Sequence, residues 1–246
     1  MRASTKQMRR KTQRSSARTK VVFLFDVDNT LLDHDGIITD LKKYLRREVG
    51  PKHERHYWDI FEQLRTKLGY ADYLGALQRY RSEHPRGGQL LTVSRFLINY
   101  PFANRLFPNS LDVIERVKKW GPAVLLTDGD VVFQPRKVDC SGLSEAVNGQ
   151  VLIYVHKEHE LADVEARYPS DHYVLVDDKL RIHTAVKKIW GRRVTTIFVR
   201  QGHYALDPKI VAAYPAADAS VDRIGDLLNY DERHFEPAAK VISSRA

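Results

Sequence analysis

Two carboxylates stand two residues apart in Asp26-Val27-Asp28-Asn29-Thr30, directly after the apolar run Val21-Val22-Phe23-Leu24-Phe25. A short run of β-branched and aromatic residues reads as a buried strand. A strand buried on both faces belongs to a parallel sheet covered by helices. Ligands of open α/β sheets bind at the carboxyl ends of the strands, where the two acids lie. Strand periodicity, if it continues past Phe25, puts Asp26 and Asp28 on one side. Like charges held that close need a cation or a shared proton to compensate them, so the pair points to a metal, to chemistry, or to both.

Other apolar runs end in polar groups of different kinds. Ala123–Leu126 leads to Thr127-Asp128-Gly129-Asp130, Val151–Val155 to His156-Lys157, and Tyr173–Val176 to Asp177-Asp178. In a parallel sheet these ends share one edge, so an acid pair, a hydroxyl, an amine and a second acid pair converge. A phosphoryl group calls for that set. One carboxylate can attack phosphorus and form an acyl phosphate. A second can protonate the leaving oxygen and then activate water. A hydroxyl and an ammonium can neutralise the non-bridging oxygens. Mg²⁺ favours a hard oxygen shell of one or two carboxylates, phosphate and water.

The elements that must position these groups follow from the pattern. Val194–Val199 supplies a further strand. Leu111, Ile114, Val117 and Trp120 recur at helical spacing until Gly121-Pro122, and Leu161–Arg167 and Ile182–Trp190 also read as helices. Alternating strands and helices predict a parallel α/β sheet with right-handed crossovers. The first crossover is different. From Gly36 to about Arg105 it spans roughly 70 residues, too long for a single connection. Within it, His53–Leu68, Tyr70–Ser82 and Leu90–Asn99 read as helices, broken at Gly69 and at His84-Pro85-Arg86-Gly87-Gly88. The segment is expected to be a helical insertion folded over the carboxyl ends of the strands. Ile224–Leu228 is expected to be a closing helix.

These residues resemble the haloacid dehalogenase-like (HAD) hydrolase superfamily. Its first motif, hhhhDxDxT, is similar to Val22–Thr30, and its second, hhhT/S, to Ala123–Thr127. Its lysine motif is best matched by Lys157, with Lys137 as the rival, and its acidic motif by Asp177-Asp178. The resemblance runs in family order over about residues 21–200. It implies an α/β fold: a Rossmann-like parallel sheet with a small all-helical cap, of the C1 type, inserted after the first strand. The implied boundaries are a disordered basic tail at 1–20, a core at 21–35 and 106–230, a cap at 36–105 and a C-terminal tail at 231–246. The implied roles are Asp26 as nucleophile, Asp28 as general acid/base, and Thr127 and Lys157 as phosphate ligands. Asp26, Asp177, Asp178 and the main-chain carbonyl of Asp28 would hold Mg²⁺. The dehalogenase branch lacks the second acid, because cleaving a carbon–halogen bond protonates no leaving oxygen, so Asp28 favours a phosphatase. Arg181 and Ile182 stand where many members place an additional acid.

The resulting expectation is a Mg²⁺-dependent phosphomonoester hydrolase acting through an aspartyl phosphate. Its partner would be a small phosphorylated metabolite, with a nucleotide or sugar phosphate as candidates. The alternatives are a non-hydrolytic phospho-acceptor and a nucleic-acid-associated binding protein on the same scaffold. Receiver domains share the inventory, but their acid pair precedes the phosphorylated Asp, and here it follows. Of the 40 basic residues, eight fall in positions 1–20, which hold no acid, so the net charge of +9 belongs mostly to that tail. Nucleic acid would be reached only through this tail. No apolar stretch approaches the ~20 residues that span a bilayer, and no membrane partner is expected. The single Cys140 excludes an intrachain disulfide and suits a cytoplasmic setting. Asp128 and Asp130 bracket a turn at Gly129. His53 and His56, like His156 and His159, read as solvated rather than as metal ligands. Most of the cap aromatics Tyr57, Trp58, Phe61, Tyr70, Tyr73 and Tyr80 should pack the cap. Arg46, Arg47, Arg55 and Arg65 read chiefly as a solvated face.

Overall fold

The computed structural model describes residues 19–85 and 90–235. Six strands form one parallel sheet: β1 (Thr19–Phe25), β2 (Ala123–Asp128), β3 (Val151–Tyr154), β4 (Ser170–Asp177), β5 (Val194–Val199) and β6 (Ala219–Val221). Their order is β3-β2-β1-β4-β5-β6, and every pairing is parallel. The chain leaves β1 in one direction to build β2 and β3, then returns to build β4, β5 and β6 on the other side. β1 therefore lies at the topological switch, where the strand ends leave a crevice.

Period-two alternation in β1 explains why it is apolar throughout. Val21, Phe23 and Phe25 enter the apolar cluster on one face of the sheet, and Val22 and Leu24 enter the cluster on the other. The second face is covered by α8 (Leu161–Arg167) and α9 (Leu180–Trp190), through Leu161, Val164, Ile182 and Val186. The first is covered by α5 (Ser110–Val117), α6 (Phe133–Cys140) and α7 (Leu143–Ala146).

Between β1 and β2 lie four helices: α1 (His34–Glu48), α2 (Pro51–Leu68), α3 (Tyr73–Glu83) and α4 (Leu90–Asn99). Their apolar faces are continuous with the first sheet cluster, which contains Leu41, Ile60, Phe61, Leu77 and Leu97 as well as Phe23 and Phe25. Tyr73 packs on Phe133 of α6 with ring centroids 5.1 Å apart. Of the cap aromatics, Tyr57, Phe61 and Tyr73 are buried as expected of a packed cap, and Trp58 and Tyr70 border a cleft. His53 and His56 are engaged within the cap, by Tyr80 Oη at 2.8 Å and Glu83 Oε2 at 2.6 Å.

Several boundaries differ from the sequence reading. α1 was not anticipated; in the fold Asp33 caps the helix by accepting the Gly36 N–H at 2.9 Å, and Ile37, Leu41 and Leu45 carry its buried face. β1 begins at Thr19, inside the stretch read as tail. β6 is too short to leave a periodic signal. After β5 come α10 (Gly202–Leu206) and α11 (Pro208–Ala212), and the closing helix expected at Ile224–Leu228 is a 3₁₀ helix over Ile224–Asn229. Phe235, within the stretch read as C-terminal tail, is buried edge-on against Phe23 at 5.0 Å and against Trp120. An isolated aromatic in a polar stretch gives no local sign of such burial. Residues 1–18, part of the break after α3, and 236–246 lie outside the described residues. Among the described residues no helix is long and apolar enough to cross a membrane.

Candidate active site

β1 ends at Phe25, so the pleat does not bring the two acids together; a tight turn does. Asp26 still pairs with the neighbouring strand, its N–H donating to the Val176 carbonyl at 2.9 Å. The chain then folds back, with the N–H groups of Leu31 and Leu32 both donating to the Val27 carbonyl at 3.0 Å. Asn29 takes a left-handed φ of 61° at the apex and exchanges hydrogen bonds with Asp35. Gln201, just past β5, ties down this turn by donating to the Thr30 carbonyl at 3.1 Å. Asp26 and Asp28 both face one cleft of about 1260 Å³ between the cap and the strand ends.

Around Asp26 the site is buried and crowded. Asp26 is 2% exposed. Lys157, at the start of a 3₁₀ turn after β3, places Nζ 2.5 Å from Asp26 Oδ1 and 2.7 Å from Asp177 Oδ2. Lys179 places Nζ 2.7 Å from Asp178 Oδ1 and 3.5 Å from Asp26 Oδ2, and Thr30 Oγ1 donates to the same Asp26 oxygen at 3.5 Å. Asp128 aims Lys157 by accepting its backbone N–H at 2.7 Å. Burial costs the Lys157 ammonium some of its proton affinity, but Asp177 and Asp26 outweigh that and hold it firmly protonated.

Asp28 sits in a different setting at the cleft wall. Lys137 of α6 straddles its carboxylate, with Nζ 2.7 Å from Oδ1 and 2.8 Å from Oδ2. The same ammonium donates to Gln134 Oε1 at 2.7 Å, and Gln134 Nε2 donates to Thr127 Oγ1 at 2.9 Å. This arrangement depends on Gly129, where a Cβ would stand 2.3 Å from that of Gln134. Just before α6, Asp130 accepts the N–H groups of Val132 and Phe133. From the cap side, His34 Nδ1 lies 3.7 Å from Asp28 Oδ2, and its Nε2 meets Tyr73 Oη at 2.8 Å. Burial raises the proton affinity of Asp28, but His34 and Lys137 bring its pKa down to about 2. Burial also leaves His34 neutral down to about pH 4.

The structure brings together every residue singled out at the strand ends: Asp26, Asp28, Thr127, Lys157, Asp177 and Asp178. Asp26, Asp177 and Asp178 are the one group of three among the described residues whose oxygens lie within 4.8 Å of one another. All three are buried, and Asp178 Oδ2 is a buried oxygen with no hydrogen-bond partner. Burial pushes the Asp178 carboxyl up, and although Lys179 opposes this, the neighbouring Asp177 and Asp26 add to it. An orphaned oxygen in a pocket of crowded carboxylates suits a hard divalent cation. Sequence reasoning overlooked Gln134, His34, Lys179 and Gln201. The adjacency of Lys179 to the acid pair, and the i, i+3 spacing of Gln134 and Lys137, were the available signals.

Other polar residues fall at the cleft margin. His156 and His159 line it with rings 5.5 Å apart. Arg181 pairs with the buried Glu158 in its wall. Arg65 reaches across from α2 to bond the Tyr204 hydroxyl on α10, so one basic cap residue bridges cap and core.

No protein-family model and no curated protein matches the chain. Solved structures do. A haloacid dehalogenase-like hydrolase from Burkholderia xenovorans LB400 is 58% identical, with a TM-score of 0.83, over 87% of this chain and 99% of that one. At 15% identity and a TM-score of 0.56, the HAD-hydrolase YfnB from Bacillus subtilis, solved with magnesium, matches 87% of this chain and 98% of its own. L-2-haloacid dehalogenase from Xanthobacter autotrophicus matches 86% and 97% at 18% identity and a TM-score of 0.55. The last two share the fold. With the sheet order, the strand-end acids and the helical insertion, the first comparison establishes that this chain belongs to the haloacid dehalogenase-like hydrolases.

Proposed function

We propose that the protein is a Mg²⁺-dependent phosphomonoester hydrolase acting on a small phosphorylated metabolite through an aspartyl phosphate. The observation that carries this reading is the second acid, Asp28, at the cleft wall two residues beyond the buried Asp26. Displacing halide from carbon needs a nucleophile but no proton donor, whereas expelling an alkoxide from phosphorus needs both.

In the first half-reaction an Asp26 carboxylate oxygen bonds to phosphorus as the phosphorus–alkoxide bond breaks, and Asp28 passes its proton to the departing oxygen. In the second, water attacks the same phosphorus while Asp28 takes its proton, the bond to Asp26 breaks, and inorganic phosphate leaves. Thr127 and Lys157 hold the non-bridging oxygens, with Lys157 also fixing the orientation of Asp26. Asp28 starts ionised beside Lys137. The incoming phosphate dianion raises its proton affinity by like-charge repulsion and draws Lys137 toward the substrate, so the proton is taken up with the ester. Asp26, Asp177, Asp178 and the Asp28 carbonyl would hold Mg²⁺, whose charge offsets the repulsion between nucleophile and phosphoryl group. The cap closes the cleft to water and selects the leaving group.

The test is a panel of phosphomonoesters and 2-haloacids, with and without Mg²⁺, on the wild type and Asp26→Asn. Mg²⁺-dependent phosphate release that Asp26→Asn abolishes is the expected result. Halide release without phosphate release would overturn the reading.

A further inference from the structure

Lys179 follows directly on the acid pair and turns back into it. Its ammonium bridges Asp178 Oδ1 at 2.7 Å and Asp26 Oδ2 at 3.5 Å, while Lys157 takes Asp26 Oδ1 and Asp177 Oδ2. The two oxygens of the nucleophile are thus divided between two lysines. Three carboxylates buried together are costly unless cations compensate them. Two ammonium groups leave one negative charge uncompensated.

The two lysines are not equivalent. Lys157 has a side chain 1% exposed and a backbone pinned by Asp128. Lys179 has a side chain 24% exposed and a flexible stem at the cleft wall, with the Tyr204 ring centroid 5.5 Å from its ammonium. The oxygens that Lys179 contacts belong to residues assigned to the divalent cation. A hard dication needs direct contact with those oxygens, and an ammonium on the same two carboxylates opposes it by charge and by space. A dication added beside both lysines would also turn the cluster net positive, whereas exchanging it for Lys179 brings the cluster from one negative charge to neutrality.

We propose that Lys179 is an internal cation that competes with Mg²⁺ for Asp26 and Asp178 and turns into the cleft, along the Tyr204 ring, when the metal binds. This rests on the metal-dependent reading above. Turned outward, its ammonium faces the substrate, so metal binding exchanges a counter-ion of the nucleophile for a ligand of the incoming anion. Tyr204 also receives the hydrogen bond from Arg65 of the cap, which places the cap in contact with the same exchange.

The experiment is calorimetric titration of the full chain with Mg²⁺ alone, without substrate, on the wild type, Lys179→Met and Lys179→Gln. Glutamine retains a hydrogen-bond donor should the methionine variant fold poorly. Both variants are expected to bind Mg²⁺ about tenfold more tightly or better. Their metal-free melting temperatures should fall below that of the wild type and rise further on adding Mg²⁺. Mg²⁺ binding of equal affinity in all three proteins would overturn the competition and leave the metal-dependent reading standing. Absence of Mg²⁺ binding in all three, with the fold intact by circular dichroism, would overturn both.

Discussion

Asp26 and Asp28 are separated by one residue yet held in opposite ways. Asp26 is enclosed by groups from the sheet and its strand ends: Lys157 after β3, Asp177 and Asp178 at the end of β4, and Lys179 beyond them. Asp28 has a side chain 22% exposed and is shared between core and cap: Lys137 on α6, His34 at the start of α1, and Tyr73 on α3 through His34. The proposed nucleophile is fixed by strand geometry, which has little freedom. The proposed acid/base is surrounded by elements whose relation depends on how the cap is seated. Asp28 is therefore the residue whose environment reports cap position directly, and Asp26 is largely insulated from it, meeting the cap only through Lys179, Tyr204 and Arg65.

The sharpest way to break this comparison is to remove the proposed acid/base alone. Asp28→Asn should lower kcat about 10²–10⁴-fold on alkyl phosphates. It should cost far less on esters whose leaving group needs no proton, such as a nitrophenyl phosphate. Equal losses on both would remove Asp28 from the acid role.

A second contrast tests insulation through stability. Lys157→Met leaves Asp26 and Asp177 buried without their shared cation and should cost about 3–5 kcal/mol in urea unfolding. Lys137→Met leaves a carboxylate that water reaches and should cost less than half as much. Similar losses would mean that both acids are equally enclosed.

The smallest effect is in pH. His34 has a folded-state pKa of about 4, below its ordinary 6.5, so the folded chain binds fewer protons than the unfolded chain in that interval. Its contribution is complete above about pH 6.5 and is lost as pH falls toward 4, by up to about 1.4 kcal/mol per pH unit. Unfolding free energies at pH 7 and pH 4.5 should therefore fall less in His34→Asn than in the wild type. Parallel declines would show that His34 is not held neutral by its burial.

Much of this molecule was legible before any fold was considered. Mostly apolar runs predicted β1 to β5 because strands covered on both faces carry few polar positions. Gly121-Pro122 and Gly191 marked ends of helical periodicity. Polar groups placed immediately after the runs identified one sheet edge, because a parallel sheet puts all those ends together. β6 and Phe235 escaped notice because a three-residue strand and an isolated aromatic carry no periodic signal, whereas α1 was missed although Ile37, Leu41 and Leu45 recur at helical spacing.

By itself the sequence determined which groups would meet, since that follows from local pattern and parallel topology. Which lysine serves which carboxylate was decided only in three dimensions. Lys137 and Lys157 are both basic residues shortly after a strand, and sequence spacing does not measure side-chain reach. The turn at Asn29 sends Asp28 toward α6, Gly129 lets Gln134 and Lys137 approach, and the hydrogen bond from the Lys157 backbone to Asp128 points the other ammonium at Asp26. The same holds for Lys179, which by sequence is one more charge beside an acid pair. Its place across Asp26 and Asp178 follows from β4 lying directly beside β1, which sets the end of one strand against the end of the other, and long-range geometry of that kind has no counterpart in local sequence.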